Sequence, residues 1–110
     1  MEVRPRKVEN YLTADDDCPF DNWFNGLRDP IGKAQIDARI TRLRLGSLGK
    51  WDDVGERVIE LIFKNTGPGY RVYCGQDGPT LVIILGGGTK HGQQSDIERA
   101  KKCWRDYCKE

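Results

Sequence analysis

Two short glycine-rich segments carry the side chains best suited to chemistry. GPGYRVYC, from Gly67 to Cys74, contains Arg71, and GGGTKHGQQ, from Gly86 to Gln94, contains Lys90 and His91, the only histidine in the chain. Two fixed cations stabilise developing negative charge, and an imidazole can move a proton. The second segment is not a nucleotide loop. It lacks the spacing and the Lys-Ser/Thr ending of a P-loop, and no G-x-G-x-x-G is present. A metal centre is not indicated either. Cys18, Cys74, Cys103 and Cys108 include no C-x-x-C pair of the kind structural zinc favours. We expect no cofactor and no metal, and four reduced thiols in a cytoplasmic protein.

These groups need elements to hold them. TLVIIL, Thr80 to Leu85, is apolar on both faces, as in a central strand. YRVYC and RVIELIF supply two more strands, and the linkers KNTGPG and GQDGP are rich in turn formers and predict hairpins. The three strands form an antiparallel meander. Alternation puts Tyr70, Val72 and Cys74 on one face and Arg71 and Tyr73 on the other. With Val72 in the core, Arg71 points out beside the Tyr73 ring. The glycine run leaves the central strand next to it, so Lys90 and His91 come within reach of Arg71.

Upstream, Phe20, Trp23, Phe24 and Leu27 recur at helical spacing and predict an apolar stripe. DPIGKAQIDARITRLRLG is the clearest helix. Asp29 can cap it, Pro30 suits the first turn, and Gly46 can close it. Ile36, Ile40 and Leu43 form its buried face, with Arg39, Arg42 and Arg44 on or near the exposed side. Residues 2–12 read as a first strand. In the C-terminal helix, Ile97, Ala100, Trp104 and Tyr107 form the docking face, and Ser95 with Glu98 forms a capping box. The spacing of Tyr107 from Trp104 predicts packing rather than a base. The expected fold is α+β in β-α-α-β-β-β-α order, an antiparallel sheet with helices on one face.

With 110 residues, the chain predicts a single domain, 1–110. Nothing resembles a signal peptide, and LVIIL is far shorter than a membrane span. Net charge is +1, yet its distribution is uneven. Residues 11–30 hold one basic and five acidic groups, whereas 31–50 hold five basic groups against Asp37. A small protein so polarised can turn a basic face to a polyanion.

The segment GPGYRVYC…LVIILGGGTKHGQQSDIERAKKCWRDY resembles the addiction-module killer branch of the RelE/ParE toxin superfamily. The likeness extends upstream through PFDNWFNGLRDPIGKAQIDARITRLRLGSLG and VGERVIEL, from about Val3 to Tyr107. Members typically read GPGYRVYF, then GGDKSTQ. The resemblance implies a type II toxin held in check by a small cognate antitoxin, expected to be a helix-turn-helix protein. RelE-like members cut messenger RNA on the ribosome, while ParE-like members share the fold and poison DNA gyrase. A toxin-fold binding module without activity is the third alternative, because fold does not fix function.

On the first reading, Arg71 matches the strand arginine that stabilises the transition state. Lys90 matches the lysine of GGDKSTQ and Gln93 its glutamine. His91 lies outside that pattern and is the candidate acid or base. Arg39, Arg42, Arg44, Lys50, Tyr73 and Gln93 are the expected RNA contacts. Many relatives carry a lysine near the segment reading KWDDVG here. Asp52 and Asp53 occupy that neighbourhood, and carboxylates near a phosphate are unfavourable.

Overall fold

The computed structural model describes residues 5–64 and 66–109. Val3 lies outside them. The described residues form an α+β fold: five strands in one mixed sheet and three α-helices. β1 spans Lys7–Asn10, α1 Pro19–Asn25 and α2 Pro30–Arg44. β2 spans Trp51–Gly55, β3 Val58–Ile62, β4 Tyr70–Asp77 and β5 Leu81–Thr89. A 3₁₀ turn, Lys90–Gly92, then leads into α3, Gln93–Cys108.

The strand order is β1-β5-β4-β3-β2. β2 to β5 form an antiparallel meander, and β1 pairs in parallel with the first half of β5. The sheet is therefore mixed rather than wholly antiparallel. β5 lies between β1 and β4, which agrees with its two apolar faces.

Helices cover both faces, not one as expected. On one face α1 and α2 bring Phe20, Ile36, Ile40 and Leu43 against Ile59, Leu61, Val72, Cys74, Val82 and Ile84. On the other, α3 seats Ala100 and Trp104 on Val58, Tyr73, Ile83 and Leu85. The strand sequences alternate their apolar residues between these two cores, so a second helical layer is required to cover the second set.

α2 begins and ends as its sequence predicts. The Asp29 carboxylate accepts from the Gly32 N–H at 3.0 Å, and Pro30 occupies the first turn. At the other end Gly46 takes φ 104°. Its N–H donates to the Leu43 carbonyl and the Ser47 N–H to the Arg42 carbonyl, the hydrogen-bond pair of a Schellman closure. Asp29 also accepts from the Tyr70 hydroxyl at 2.8 Å, which ties the start of α2 to β4.

β2 was not expected. Its reversal into β3 is made by Glu56 and Arg57, both left-handed at φ 55° and 65°. Two-residue hairpin turns usually use Asn-Gly or Asp-Gly there, so the sequence carries no ordinary signal for this hairpin. α3 also differs at its start. It begins at Gln93 with Gly92 at the N-cap and no side-chain cap, so Ser95 lies inside the helix rather than capping it. No helix among the described residues is long and apolar enough to cross a membrane.

Candidate functional site

Strand register assembles the site. Ile62 pairs with Arg71, and Arg71 with Gly88, so these residues form one row across β3, β4 and β5. The Ile62 N–H donates to the Lys50 carbonyl at 3.0 Å, which extends the row to the residue before β2. Cross-strand neighbours share a face. Lys50, Ile62 and Arg71 therefore lie along the α3 face at the end of the sheet where α3 begins. The next row inward is Asp52, Glu60, Tyr73 and Gly86.

Lys90 joins this end through the Gly69 turn. Its N–H donates to the Pro68 carbonyl at 3.4 Å, and its aliphatic stem passes so close to Gly69 that a β-carbon there would come within 3.0 Å of it. The Arg71 guanidinium lies against the same turn, with Nη1 donating to the Gly69 and Tyr70 carbonyls, each at 3.1 Å. Arg71 and Lys90 thus converge on Gly69. The 3₁₀ turn that carries Lys90 and His91 opens directly into the uncapped α3, whose first N–H groups carry partial positive charge.

Arg71 does not project freely. Its side chain is only 17% exposed, and its Nε lies 3.7 Å from Glu60 Oε1. That Nε is buried without a hydrogen-bond partner. Glu60 itself is 1% exposed. Its carboxylate accepts from the Tyr73 hydroxyl at 3.0 Å and from Gln93 Nε2 at 3.0 and 2.8 Å. A buried carboxylate is tolerated only with such partners. Tyr73 is pushed above the ordinary phenol range by burial first and the Glu60 charge second, so it stays a donor at neutral pH. Sequence reading passed over Glu60 because it sits in an apolar strand, RVIELIF, where alternation should have marked it as facing Tyr73.

The glycine run is explained by what lies over it. A β-carbon on Gly88 would collide with the Asp96 carboxylate of α3, and one on Gly87 with the Trp23 ring of α1. β1 pairs only as far as Ile84, so this stretch of β5 floors a cleft of about 560 Å³ between α1 and α3, lined by Trp23, Asp96, Arg99 and Cys103 among others. Arg99 pairs with Asp96 one turn away on α3, along the helical wall of the cleft.

Several expected contacts are corrected. Arg39 is not on the exposed side of α2: it is 7% exposed. Its guanidinium donates to the carbonyls of Leu48 (3.2 and 2.7 Å), Lys50 (2.5 Å) and Ile62 (2.8 Å) and stacks over Phe63 at 5.1 Å. Its donors hold the α2–β2 connection to β3, which leaves it unavailable to RNA. Tyr73 is also buried and engaged with Glu60, so it offers no ring to a base, and Gln93 is spent on the same carboxylate. Arg42, Arg44, Lys50, Lys90 and His91 are exposed. Arg42 and Arg44 sit on α2, which covers the opposite face of the sheet from Arg71. Nothing in the described contacts joins His91 to Arg71. Tyr107 stacks on Trp104 at 5.2 Å and donates to Asp77 at 2.6 Å, a packing role as expected. Asp52 lies in the Glu60 row. Asp53 turns to the other face, where its carboxylate accepts from the Gly55 N–H at 2.8 Å.

No family model matches the chain. An uncharacterized protein of Haemophilus influenzae is 43% identical to it over 82 residues, which cover 74% of this chain and 82% of that protein. Identity at that level over most of both chains fixes a common fold, and the chain belongs to the same family as this Haemophilus influenzae protein.

Proposed function

We propose that the chain is the toxin of a type II toxin–antitoxin pair, with the RelE/ParE-like fold, and that it cuts ribosome-bound messenger RNA. The observation that carries this reading is the convergence of Lys50, Arg71 and Lys90 along one end of the sheet, beside the uncapped start of α3. A run of cations on one face, with helix N–H groups adjacent, suits the phosphates of an RNA strand. The strand and helix order supports it, with β2 as an additional hairpin strand before the three expected ones. Arg71 is the transition-state donor, Lys50 and Lys90 draw in the phosphate, and exposed His91 is the group that exchanges a proton. The partner is a small antitoxin whose acidic segment covers Arg71 and Lys90.

A second reading, a binding module without catalysis, is favoured by one specific observation. The Arg71 fork is turned back onto its own turn carbonyls. The two readings separate in a primer-extension assay on translating ribosomes. Cleavage that Arg71→Ala reduces by ~10²–10³, the usual loss for one preorganised donor, supports the first. Message that stays intact at every toxin concentration supports the second, and gyrase inhibition by the same protein would assign it to the ParE type. Co-expression with the neighbouring reading frame tests the partner: the two proteins should co-purify at moderate salt, and their failure to do so counts against a toxin–antitoxin pair.

A further inference from the structure

We propose that Glu60 is the positioning residue of the site, holding the Arg71 guanidinium in its working orientation. This rests on the reading of Arg71 as the charge donor to phosphate. Glu60 cannot be the proton acceptor itself. It is 1% exposed, and both carboxylate oxygens already accept hydrogen bonds, from Tyr73 and Gln93. What it offers Arg71 is a fixed counter-charge. Glu60 pairs directly with Tyr73, so Arg71, two residues before Tyr73, is its diagonal neighbour on the same face, within reach of a long side chain.

The Glu60 contact also explains the geometry of Arg71. Its Nε is drawn to 3.7 Å from Glu60 and buried, while Nη1 meets the turn carbonyls of Gly69 and Tyr70. Held at both ends, the guanidinium plane has few orientations left. Tyr73 and Gln93 fix Glu60 from β4 and from the first residue of α3, so the orientation of Arg71 is linked to the docking of that helix. Electrostatically, Glu60 offsets the Arg71 charge and leaves Lys50 and Lys90 as the net attraction for a polyanion. Binding and positioning are thereby separated. The lysines recruit phosphate, and the Glu60–Arg71 pair sets geometry.

Glu60→Gln in the full chain tests this. The amide fits the same space: its oxygen accepts from Tyr73, and its NH₂ donates to a flipped Gln93, while the counter-charge is gone. The Arg71 side-chain Nε–H resonance, assigned with Arg71→Lys, should be dispersed and slow to exchange in the wild type. In Glu60→Gln it should move to the pool of exposed arginines. Turnover on ribosome-bound message should fall by ~10²-fold, the scale of a misplaced reacting group, with KM unchanged or lower because the site has gained net positive charge. An Arg71 resonance unmoved by the substitution would overturn the proposal. So would a fall in kcat no larger than the fall in the folded fraction, with KM unchanged. If Glu60→Gln fails to fold, Gln93→Leu serves, because it frees one side of the carboxylate and should shift the same resonance. A wild type that cuts no message removes the proposed function but not the resonance test, so the two failures are distinguishable.

Discussion

The two faces of the sheet solve the same problem, a cation under a helix, in opposite ways. On the α2 face Arg39 is buried, and each of its nitrogens donates to a backbone carbonyl. On the α3 face Arg71 is mostly enclosed, has a buried Nε without a hydrogen-bond partner and lies beside a carboxylate rather than hydrogen-bonded to it. A fully satisfied guanidinium is structural cement. In Arg71 the orphan Nε is sealed beside Glu60, so its capacity for a ligand lies at the guanidinium end, where Nη1 meets only turn carbonyls. Residue type alone does not separate them, and the difference lies in what surrounds each guanidinium.

Breaking this contrast on the α2 side should have the largest effect. Arg39→Ala removes the guanidinium donors to the Leu48, Lys50 and Ile62 carbonyls, of which that of Lys50 keeps the Ile62 N–H. Because a carbonyl left unsatisfied beneath the helix costs about 1–3 kcal/mol, and only the Leu48 and Ile62 carbonyls lose the donor shown, we expect a loss of roughly 2 kcal/mol or more in urea denaturation. Arg39→Lys should recover little, since an ammonium cannot reproduce the planar fork. Arg71→Ala, by contrast, leaves Glu60 its hydrogen bonds from Tyr73 and Gln93, so it should cost less stability than Arg39→Ala while abolishing most activity. Equal destabilisation by both substitutions would erase the distinction.

The next test concerns the roof over the glycines. Gly88→Ala places a methyl group into the Asp96 carboxylate, and overpacking of this kind costs about 1–3 kcal/mol. It should also shift α3 and with it Gln93, so Glu60 and Arg71 should respond in the same NMR spectra. A fully tolerated Gly88→Ala would mean that α3 rides more loosely than described.

Much of this architecture was legible in advance. Asp29, Pro30 and Gly46 marked the ends of α2 because capping and left-handed closure have local signatures. The two apolar faces of β5 gave its interior place in the sheet. The parts that were not legible depend on tertiary arrangement. β2 turns through Glu56 and Arg57, which carry no turn signature, and its charged Asp52 and Asp53 hid an edge strand. The second helical face was missed: helices were expected on one face, although apolar residues on both sides of β4 and β5 call for a cover on each. Arg39 read as a solvated helix residue because nothing local reveals that three carbonyls from β3 and the preceding connection end beside it. Glu60 went unseen for the complementary reason: a single acid in an apolar strand has meaning only when its cross-strand partner is known.

A smaller, pH-dependent effect should appear where α2 is tied to β4. Hydrogen bonds from the Gly32 N–H and the Tyr70 hydroxyl hold the Asp29 carboxyl below its ordinary range. A carboxyl lowered on folding stabilises the protein above its unfolded-state pKa, and that contribution is lost as pH falls through the folded value. Stability measured from neutral to acid pH should therefore decline, and Asp29→Asn should flatten the decline. An identical acid limb in the variant would remove this role. Smallest of all, Arg42→Ala with Arg44→Ala should leave stability within about 0.5 kcal/mol, as for surface positions. If α2 meets ribosomal RNA, the logarithmic salt slope should drop by roughly 0.7–0.9 per lost phosphate contact. An unchanged slope returns this face to a solvated helix surface and leaves recognition to the Lys50–Arg71–Lys90 row.

The central claim, that the α3-face cations act on an RNA phosphate, is tested most directly by mapping cuts in ribosome-bound message with purified wild-type protein beside Arg71→Ala. The account predicts discrete cleavage by the wild type and a loss of ~10²–10³ in rate in the variant, with both proteins equally folded and equally bound to ribosomes. Intact message with the wild type, or identical cleavage by both proteins, would contradict it.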